Sequence, residues 1–222
     1  MFLNGACRSL AVDIQATDSE RTAMALYDLL MEVLAFPDQW TIGETIDPEK
    51  LAEAVRAFDL QSLRDGQLLE GLNGLPMRHV VTDIHSPQMD EGSIDLISSR
   101  AVLEHFLDLP QAAERLFELM SPGGLAYHHI DIVDHRIYSR PGEFHAWSFL
   151  AEGDDWSDAL VNRLRPSEIR RCFEKAGFDV VEFFIRSGVM ADGFAVKIHS
   201  RFNRMPVTDL SATGVMCVIR RP

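Results

Sequence analysis

Short apolar segments, each followed by a polar residue, alternate along this chain with longer segments of helical periodicity. Ser9-Leu10-Ala11-Val12 is followed by Asp13, His79-Val80-Val81-Thr82 by Asp83, and Ile94-Asp95-Leu96-Ile97 by Ser98. Strands that alternate with helices form a mostly parallel, doubly wound sheet, and ligands bind at the carboxyl ends of its strands. The sequence therefore predicts an α/β, Rossmann-like fold with helices on both faces of the sheet, and a ligand site that includes these three polar residues.

The remaining elements continue this alternation. Helices are predicted over about residues 20–36, 48–58, 110–120 and 166–176, and strands over about 125–132, 180–185 and 215–219. Thr17 and Glu20 have the spacing of a capping box at the start of the first helix. Ser121-Pro122-Gly123-Gly124 is expected to end the third helix, and Gly177 is placed for a left-handed cap after the fourth.

The length of 222 residues suits a single α/β domain, so we expect one domain over residues 1–222. Two segments interrupt the alternation, at about 38–77 and 136–165. Long connections in compact domains are commonly functional. We therefore expect both segments to be inserts or lids over a bound substrate.

Charge and hydropathy exclude two classes of partner. Lys and Arg number 21 against 34 Asp and Glu, a net charge of −13, which opposes binding to phosphate backbones. No run reaches the roughly 18 apolar residues of a membrane-spanning helix, and the first residues do not have the pattern of a signal peptide. We expect a cytoplasmic protein that does not bind nucleic acid and has no integral membrane segment. Cys7, Cys172 and Cys217 are too scattered to indicate a zinc site or a disulfide framework.

Three motifs in the middle of the chain carry a family resemblance: Ile94-Asp95-Leu96-Ile97-Ser98, then Val102-Leu103-Glu104-His105, then Ser121-Pro122-Gly123-Gly124. In this order and spacing they resemble the central half of class I S-adenosylmethionine-dependent methyltransferases, especially the bacterial group that acts on small molecules. The resemblance extends over about residues 7–185. It implies methyl transfer with S-adenosylmethionine as the cofactor.

The resemblance also implies which residues bind the cofactor. Asp13, with Ile14 beside it, matches the acid that binds the ribose hydroxyls. Asp83 matches the acid that receives the adenine amino group, and the backbone amide of Ile84 matches the one that reaches an adenine ring nitrogen. Ser98 and Ser99 match residues near the methionine part of the cofactor.

One family feature has no counterpart in this sequence. The family's first strand ends in an acid and a Gly-x-Gly-type loop, but Gly5 stands alone and only 12 residues precede Asp13. We therefore expect that the first strand of the fold is missing and that the chain start is truncated or assigned too late. A non-catalytic relative that serves as a binding protein is the alternative interpretation.

The densest group of polar side chains is His128-His129-Ile130-Asp131-Ile132-Val133-Asp134-His135. Strand alternation places His129 and Asp131 on one face and His128 on the other. The group follows the fifth strand of the family fold, where the acceptor binds, so His129, Asp131 and His135 are the candidates for acceptor binding or proton removal. A metal-dependent enzyme built on this cluster is a further alternative, and Asp134 and His135 can equally serve only to cap a turn. His105 is a weaker candidate for a base.

The functions of other polar and aromatic residues have two possible interpretations. Trp147, Phe149 and Trp156 either wall an acceptor pocket or pack in a core or lid. Asn162-Arg163-Leu164-Arg165 either holds an anionic acceptor or pairs with the nearby acids Asp154, Asp155 and Asp158. The predicted acceptor is a small molecule, a sugar or a lipid intermediate. The sequence predicts neither the acceptor atom nor the oligomeric state.

Overall fold

A computed structural model describes residues 3, 5–40, 47–86, 89–152, 161–189 and 198–222. By its internal contacts the chain forms two compact units, Met1–Asp83 and Ile84–Pro222. That residues 1–222 act as one domain stays a prediction.

Among its described residues, the first unit combines a pair of parallel strands with four α-helices. Strands β1 (Ser9–Asp13) and β2 (Met77–Val81) are hydrogen bonded in a register that pairs Asp13 with Val81. Helices α1 (Ser19–Ala35), α2 (Pro48–Arg56), α3 (Leu60–Arg64) and α4 (Leu68–Gly71) lie between them in sequence. Their apolar residues form one core, which includes Ala23, Leu30, Leu51 and Leu63.

The start of α1 differs from the prediction. Asp18, not Thr17, is the N-cap, and its carboxylate accepts a hydrogen bond of 3.0 Å from the backbone N–H of Arg21. The short Asp side chain satisfies an exposed N–H of the first turn directly. The predicted capping box of Thr17 and Glu20 is therefore wrong.

The second unit contains a four-stranded sheet. Its strands are β3 (Ile94–Arg100), β4 (Met120–Asp131), β5 (Asp179–Ser187) and β6 (Ala212–Arg220), in the spatial order β3-β4-β6-β5. β3 and β4 are parallel, whereas β6 is antiparallel to both of its neighbours. β3, β4 and β5 consequently run in one direction, and the last strand in sequence lies between two earlier ones.

Helices α5 (Leu109–Leu119) and α7 (Pro166–Ala176) pack with this sheet, while α6 (Arg136–Ser139) and α8 (Val207–Leu210) are single turns. Residues from both long helices and from β4 and β6 share one core that includes Leu116, Ile130, Phe173 and Val215. The strands and helices thus alternate as the sequence predicted. Among the described residues, we find no helix of the length and apolarity that crossing a membrane requires.

Two predicted boundaries in this unit have different outcomes. Gly177 follows α7 with a φ of 104°, so the predicted left-handed cap is confirmed. Ser121 to Gly124 do not form a separate stop, because β4 begins at Met120 directly after α5 and includes them. The Ser121 hydroxyl donates to the carboxylate of Asp95 over 2.6 Å, and the pairing of β3 with β4 shifts register between Ile94 and Leu96.

Candidate functional site

Asp13 ends β1 with an exposed side chain. Its Oδ1 atom accepts a hydrogen bond of 2.9 Å from the backbone N–H of Gln15, which fixes the carboxylate in a tight turn. Ile14, in the middle of this turn, is 71% exposed. The turn therefore presents a carboxylate at the carboxyl end of a strand.

Asp83 lies near the carboxyl end of the neighbouring strand. The backbone N–H of Thr82 donates to the carbonyl of Asp13 over 2.8 Å, so the chain after β2 stays beside the chain after β1. Asp83 is exposed. The structure thus places both predicted acids of the first unit at one edge of its strand pair.

Arg115 holds the segment that follows, which belongs to the second unit. Its guanidinium donates to the carbonyls of Ile84, Ser86 and Met89 over 3.1, 3.4 and 3.3 Å. Its remaining nitrogen donates to the carboxylate of Glu118 over 2.9 Å. No local pattern indicates this role, because the contacts join Arg115 of α5 to a segment 26 to 31 positions earlier. Arg115 fixes the backbone from which the predicted adenine contact of Ile84 would be made.

Ser98 and Ser99 point to opposite faces of β3. Ser98 is exposed and pairs with Tyr127 of β4. The Ser99 hydroxyl lies 2.7 Å from Nδ1 of His128, whose ring is fully buried and stacked on Phe173. Burial lowers the pKa of His128 to about 4, so this imidazole is neutral at pH 7.

Asp131 is the centre of a polar cluster at the carboxyl end of β4. Its Oδ2 atom accepts a hydrogen bond of 2.6 Å from the hydroxyl of Tyr138 and lies 3.8 Å from Nε2 of His135. This hydrogen bond, with burial, raises the pKa of Tyr138 to about 12. Tyr138 therefore stays protonated and donates to Asp131.

His135 faces this cluster with a nitrogen that has no hydrogen bond. Nε2 is buried, has no hydrogen-bond partner among the described residues, and is too far from Asp131 for a normal hydrogen bond. Burial lowers the pKa of His135, while the charge of Asp131 opposes that shift. His135 is therefore a neutral imidazole at pH 7 and is able to accept a proton. Its ring contacts that of His105, with 5.2 Å between the centroids.

His129 lies on the same face of β4 as Asp131, as the alternation predicted, and is partly buried. Its neighbours across the sheet are Arg100 of β3 and Met216 of β6. The three predicted catalytic residues thus belong to one end of β4 and the turn after it.

Asp134, Arg163 and Arg165 form ion pairs and hydrogen bonds within the protein. Asp134 is buried and forms an ion pair with Arg136, which also pairs with Glu152. Arg163 pairs with Glu152 as well, and Arg165 donates to three backbone carbonyls while fully buried. These contacts support the structural reading of Arg163 and Arg165, although their partners differ from those predicted. Asp154, Asp155 and Asp158 lie outside the described residues.

The aromatic residues after β4 pack in a core. Phe149 is buried against Phe202, and Trp147 contacts the same cluster and donates from Nε1 to the carbonyl of Ala212 over 3.3 Å. This arrangement favours core packing over a pocket wall. Trp156 lies outside the described residues.

The described residues contain no group of three or more His, Cys, Asp or Glu that could hold a metal ion. The metal-dependent alternative therefore has no support from the described part of the cluster. Cys7, Cys172 and Cys217 are free thiols. Burial raises the pKa of Cys217 to about 12, which keeps this thiol protonated.

Comparison with known proteins decides the family. A family model described as a methyltransferase domain matches residues 11–183. This chain belongs to that methyltransferase family. Family membership confirms the resemblance seen in the motifs, and with it S-adenosylmethionine as the cofactor. Comparison with curated proteins gave no match.

Two solved structures share the fold of this methyltransferase domain. The [4+2]-cyclase SpnF aligns with a TM-score of 0.50 at 13% identity, over 99% of this chain and 76% of the cyclase. An S-adenosylmethionine-dependent methyltransferase from Mesorhizobium loti aligns with a TM-score of 0.50 at 14% identity, over 100% of this chain and 93% of that one. At this identity the likeness shows the fold alone, and it confirms the α/β, Rossmann-like class.

The chemistry of two acids in the first unit suits parts of the cofactor. The exposed carboxylate of Asp13 suits the two hydroxyls of a ribose, because one carboxylate accepts hydrogen bonds from both members of a diol. The carboxylate of Asp83, which follows the neighbouring strand, suits an amino group. These two acids can therefore accept the hydrogen bonds that the family resemblance assigns to them.

Proposed function

We propose that this chain transfers a methyl group from S-adenosylmethionine to a small-molecule, sugar or lipid-intermediate acceptor in the cytoplasm. The observation that carries the proposal is the cluster of Asp131, His135 and Tyr138 at the carboxyl end of β4. It combines a carboxylate with a neutral imidazole whose Nε2 atom has no hydrogen-bond partner among the described residues. Such a pair can orient an acceptor and remove its proton.

Asp13, Ile14, Asp83 and Ile84 would hold the adenosine part of the cofactor, and Ser98 and Ser99 would lie near its methionine part. The sulfonium, when bound, supplies an activated methyl group, so the protein needs only to position the acceptor and exclude water. His129, Asp131 and His135 would perform the first task. Residues 38–77 and 136–165 would perform the second as covers.

Family membership supports the reaction, but the fold also carries other chemistry, since SpnF is a [4+2]-cyclase. The test therefore has to measure the cofactor and the methyl group separately. The first measurement is calorimetric titration of the chain with S-adenosylhomocysteine. The second is transfer of the labelled methyl group of S-adenosylmethionine to a mixture of neutral hydroxyl compounds.

Asp13→Ala is the decisive variant for the cofactor. Charge-assisted hydrogen bonds contribute about 1.5–3 kcal/mol each, so loss of the ribose contacts should weaken S-adenosylhomocysteine binding about 100-fold. Asp28→Ala is the matched control, because Asp28 is an exposed acid of the same unit on α1. A folded wild-type chain that binds no S-adenosylhomocysteine would contradict the proposal, and so would an Asp13→Ala variant that binds like the control.

A chain that binds S-adenosylhomocysteine but transfers no methyl group would instead favour the non-catalytic alternative. If the chain does transfer the methyl group, the variant His135→Gln tests the role of the imidazole. This substitution should lower kcat far more than it weakens cofactor binding, because the imidazole acts on the acceptor.

A further inference from the structure

Glu104 is a buried acid that the predicted catalytic set does not include. It lies in a single turn, Leu103–His105, just after β3, and is 1% exposed. Neither carboxylate oxygen has a hydrogen-bond partner of good geometry among the described residues. A buried polar group without a partner costs free energy, so its presence requires an explanation.

The backbone around Glu104 is held firmly. Asn162 donates from its side chain to the carbonyls of Leu103 and Phe106, each over 2.9 Å, and from its backbone to the carbonyl of Glu104 over 2.7 Å. Ala101, which precedes the turn, has a φ of 52°, a conformation that alanine rarely adopts. The position of Glu104 is therefore imposed by several contacts and by local strain, which clusters at functional sites.

The electrostatic neighbours of Glu104 are the residues of the Asp131 cluster. Burial is the main cause that raises the pKa of Glu104, and the negative charge of Asp131 adds to it, whereas the backbone N–H groups of Glu104 and Asp131 and the side chain of His105 oppose it. Asp131 is also the neighbour of His135 Nε2, the second buried polar atom here without a hydrogen bond of good geometry. Two polar side chains that form no hydrogen bond of good geometry among the described residues thus lie beside one carboxylate.

The chemistry of these groups defines what would satisfy them. A carboxyl group donates a hydrogen bond when it is protonated and accepts one when it is ionised, and a neutral imidazole nitrogen accepts one. An uncharged molecule with two neighbouring hydroxyl groups supplies both partners. An anionic ligand would meet the negative charge of Asp131.

We infer that Glu104 is an acceptor-binding residue, and that the acceptor is an uncharged hydroxyl compound methylated on oxygen. This inference rests on the proposed methyl transfer. Glu104 forms a hydrogen bond with a second hydroxyl group beside the reacting one. The hydroxyl oxygen bonds to the methyl carbon, the carbon–sulfur bond breaks with its electron pair left on sulfur, and the hydroxyl proton passes to Nε2 of His135.

The first test measures stability and needs no acceptor. Glu104→Leu replaces the carboxyl group with an apolar side chain of similar size. If Glu104 is kept for binding, this variant should be more stable than the wild type, because it removes a buried group without a partner. A higher urea midpoint is the expected result. A lower midpoint would show that the protein itself satisfies Glu104 and would overturn the inference.

The second test measures binding of two probes of similar size, catechol and benzoate, by ligand-observed NMR in the presence of S-adenosylhomocysteine. Catechol has two neighbouring hydroxyl groups; it should bind the wild type in preference to benzoate, and at least about tenfold more weakly to Glu104→Leu. Glu104→Gln, whose amide still forms hydrogen bonds, should recover part of that loss. Absence of catechol binding to the wild type, equal binding by all three proteins, or a preference for benzoate would overturn the inference.

The two proposals fail separately. S-adenosylhomocysteine affinity should be the same in the wild type and in Glu104→Leu, because the role proposed for Glu104 is to bind the acceptor. A wild type without that affinity refutes the methyl transfer, whereas the stability of Glu104→Leu still reports on Glu104.

Discussion

Arg165 offers a quantitative test of how the end of β4 is held. Its buried guanidinium donates twice to the carbonyl of Asp209, over 3.0 and 2.8 Å, once to that of Ala212 over 2.6 Å, and once to that of Ile132 over 2.9 Å. Ile132 directly follows Asp131, and Ala212 begins β6. One side chain therefore joins the candidate site to the neighbouring strand and to α8.

The expected cost of Arg165→Met follows from these four bonds. Each buried carbonyl that loses its partner costs about 1–3 kcal/mol, while removal of a buried cation offsets part of the sum. Removing one member of a buried charged interaction typically costs about 3–5 kcal/mol in total. We expect a loss of that size in the free energy of unfolding. Burial lowers the pKa of Arg165 only to about 10, so the guanidinium is charged at pH 7.

Urea denaturation of the two proteins, followed by circular dichroism and by tryptophan fluorescence, measures this loss. Trp147 is a suitable probe because its Nε1 atom bonds to the carbonyl of Ala212, which Arg165 also holds. Arg170→Met is the matched control: it removes an exposed ion pair with Glu174 on α7 and should cost less than about 0.5 kcal/mol. If Arg165→Met costs no more than this control, the reasoning is refuted.

Two further predictions concern the second unit. Burial holds the pKa of His128 at about 4, against 6.5 for the free side chain, so between these pH values the folded state binds fewer protons than the unfolded state. The free energy of unfolding is therefore highest above pH 6.5 and decreases by at most about 3 kcal/mol as the pH falls toward 4. Urea midpoints between pH 7 and 4.5 should fall more steeply for the wild type than for His128→Gln, and parallel curves would contradict this. Gly177→Ala should lose about 1–2 kcal/mol, because a φ of 104° is costly for alanine and its Cβ atom would lie 3.1 Å from the ring of Phe117. Thermal unfolding measures that loss, and Gly177→Asn, which tolerates this conformation better, should lose less.

Local patterns predicted those parts of the fold that depend on neighbours in sequence. The bounds of α7 and the cap at Gly177 follow from a proline at the first helical position and a glycine after the last. The cap of α1 was misassigned by one residue, because Thr17 and Asp18 both carry suitable oxygens and only the backbone geometry decides between them. The place of β6 between β4 and β5 depends on pairing over long distances in the chain, which no local pattern encodes.

The same distinction applies to the candidate site. The shared face of His129 and Asp131 was predictable because strand alternation determines it. The hydrogen bond from Tyr138 to Asp131 and the burial of Glu104 depend on how separate segments pack. The sequence alone does not decide between the two roles of Arg165 for a similar reason, since its hydrogen-bond partners lie 33 to 47 positions away.

The central position of β6 has a consequence for the synthesis of the protein. The ribosome completes β3, β4 and β5 before Ala212–Arg220 emerges, so β4 and β5 remain without the strand that joins them until then. Their unpaired edges are templates for association with other chains. The sheet of the second unit is thus completed only when β6 is made, and until then the nascent chain exposes edges of β4 and β5 that favour aggregation.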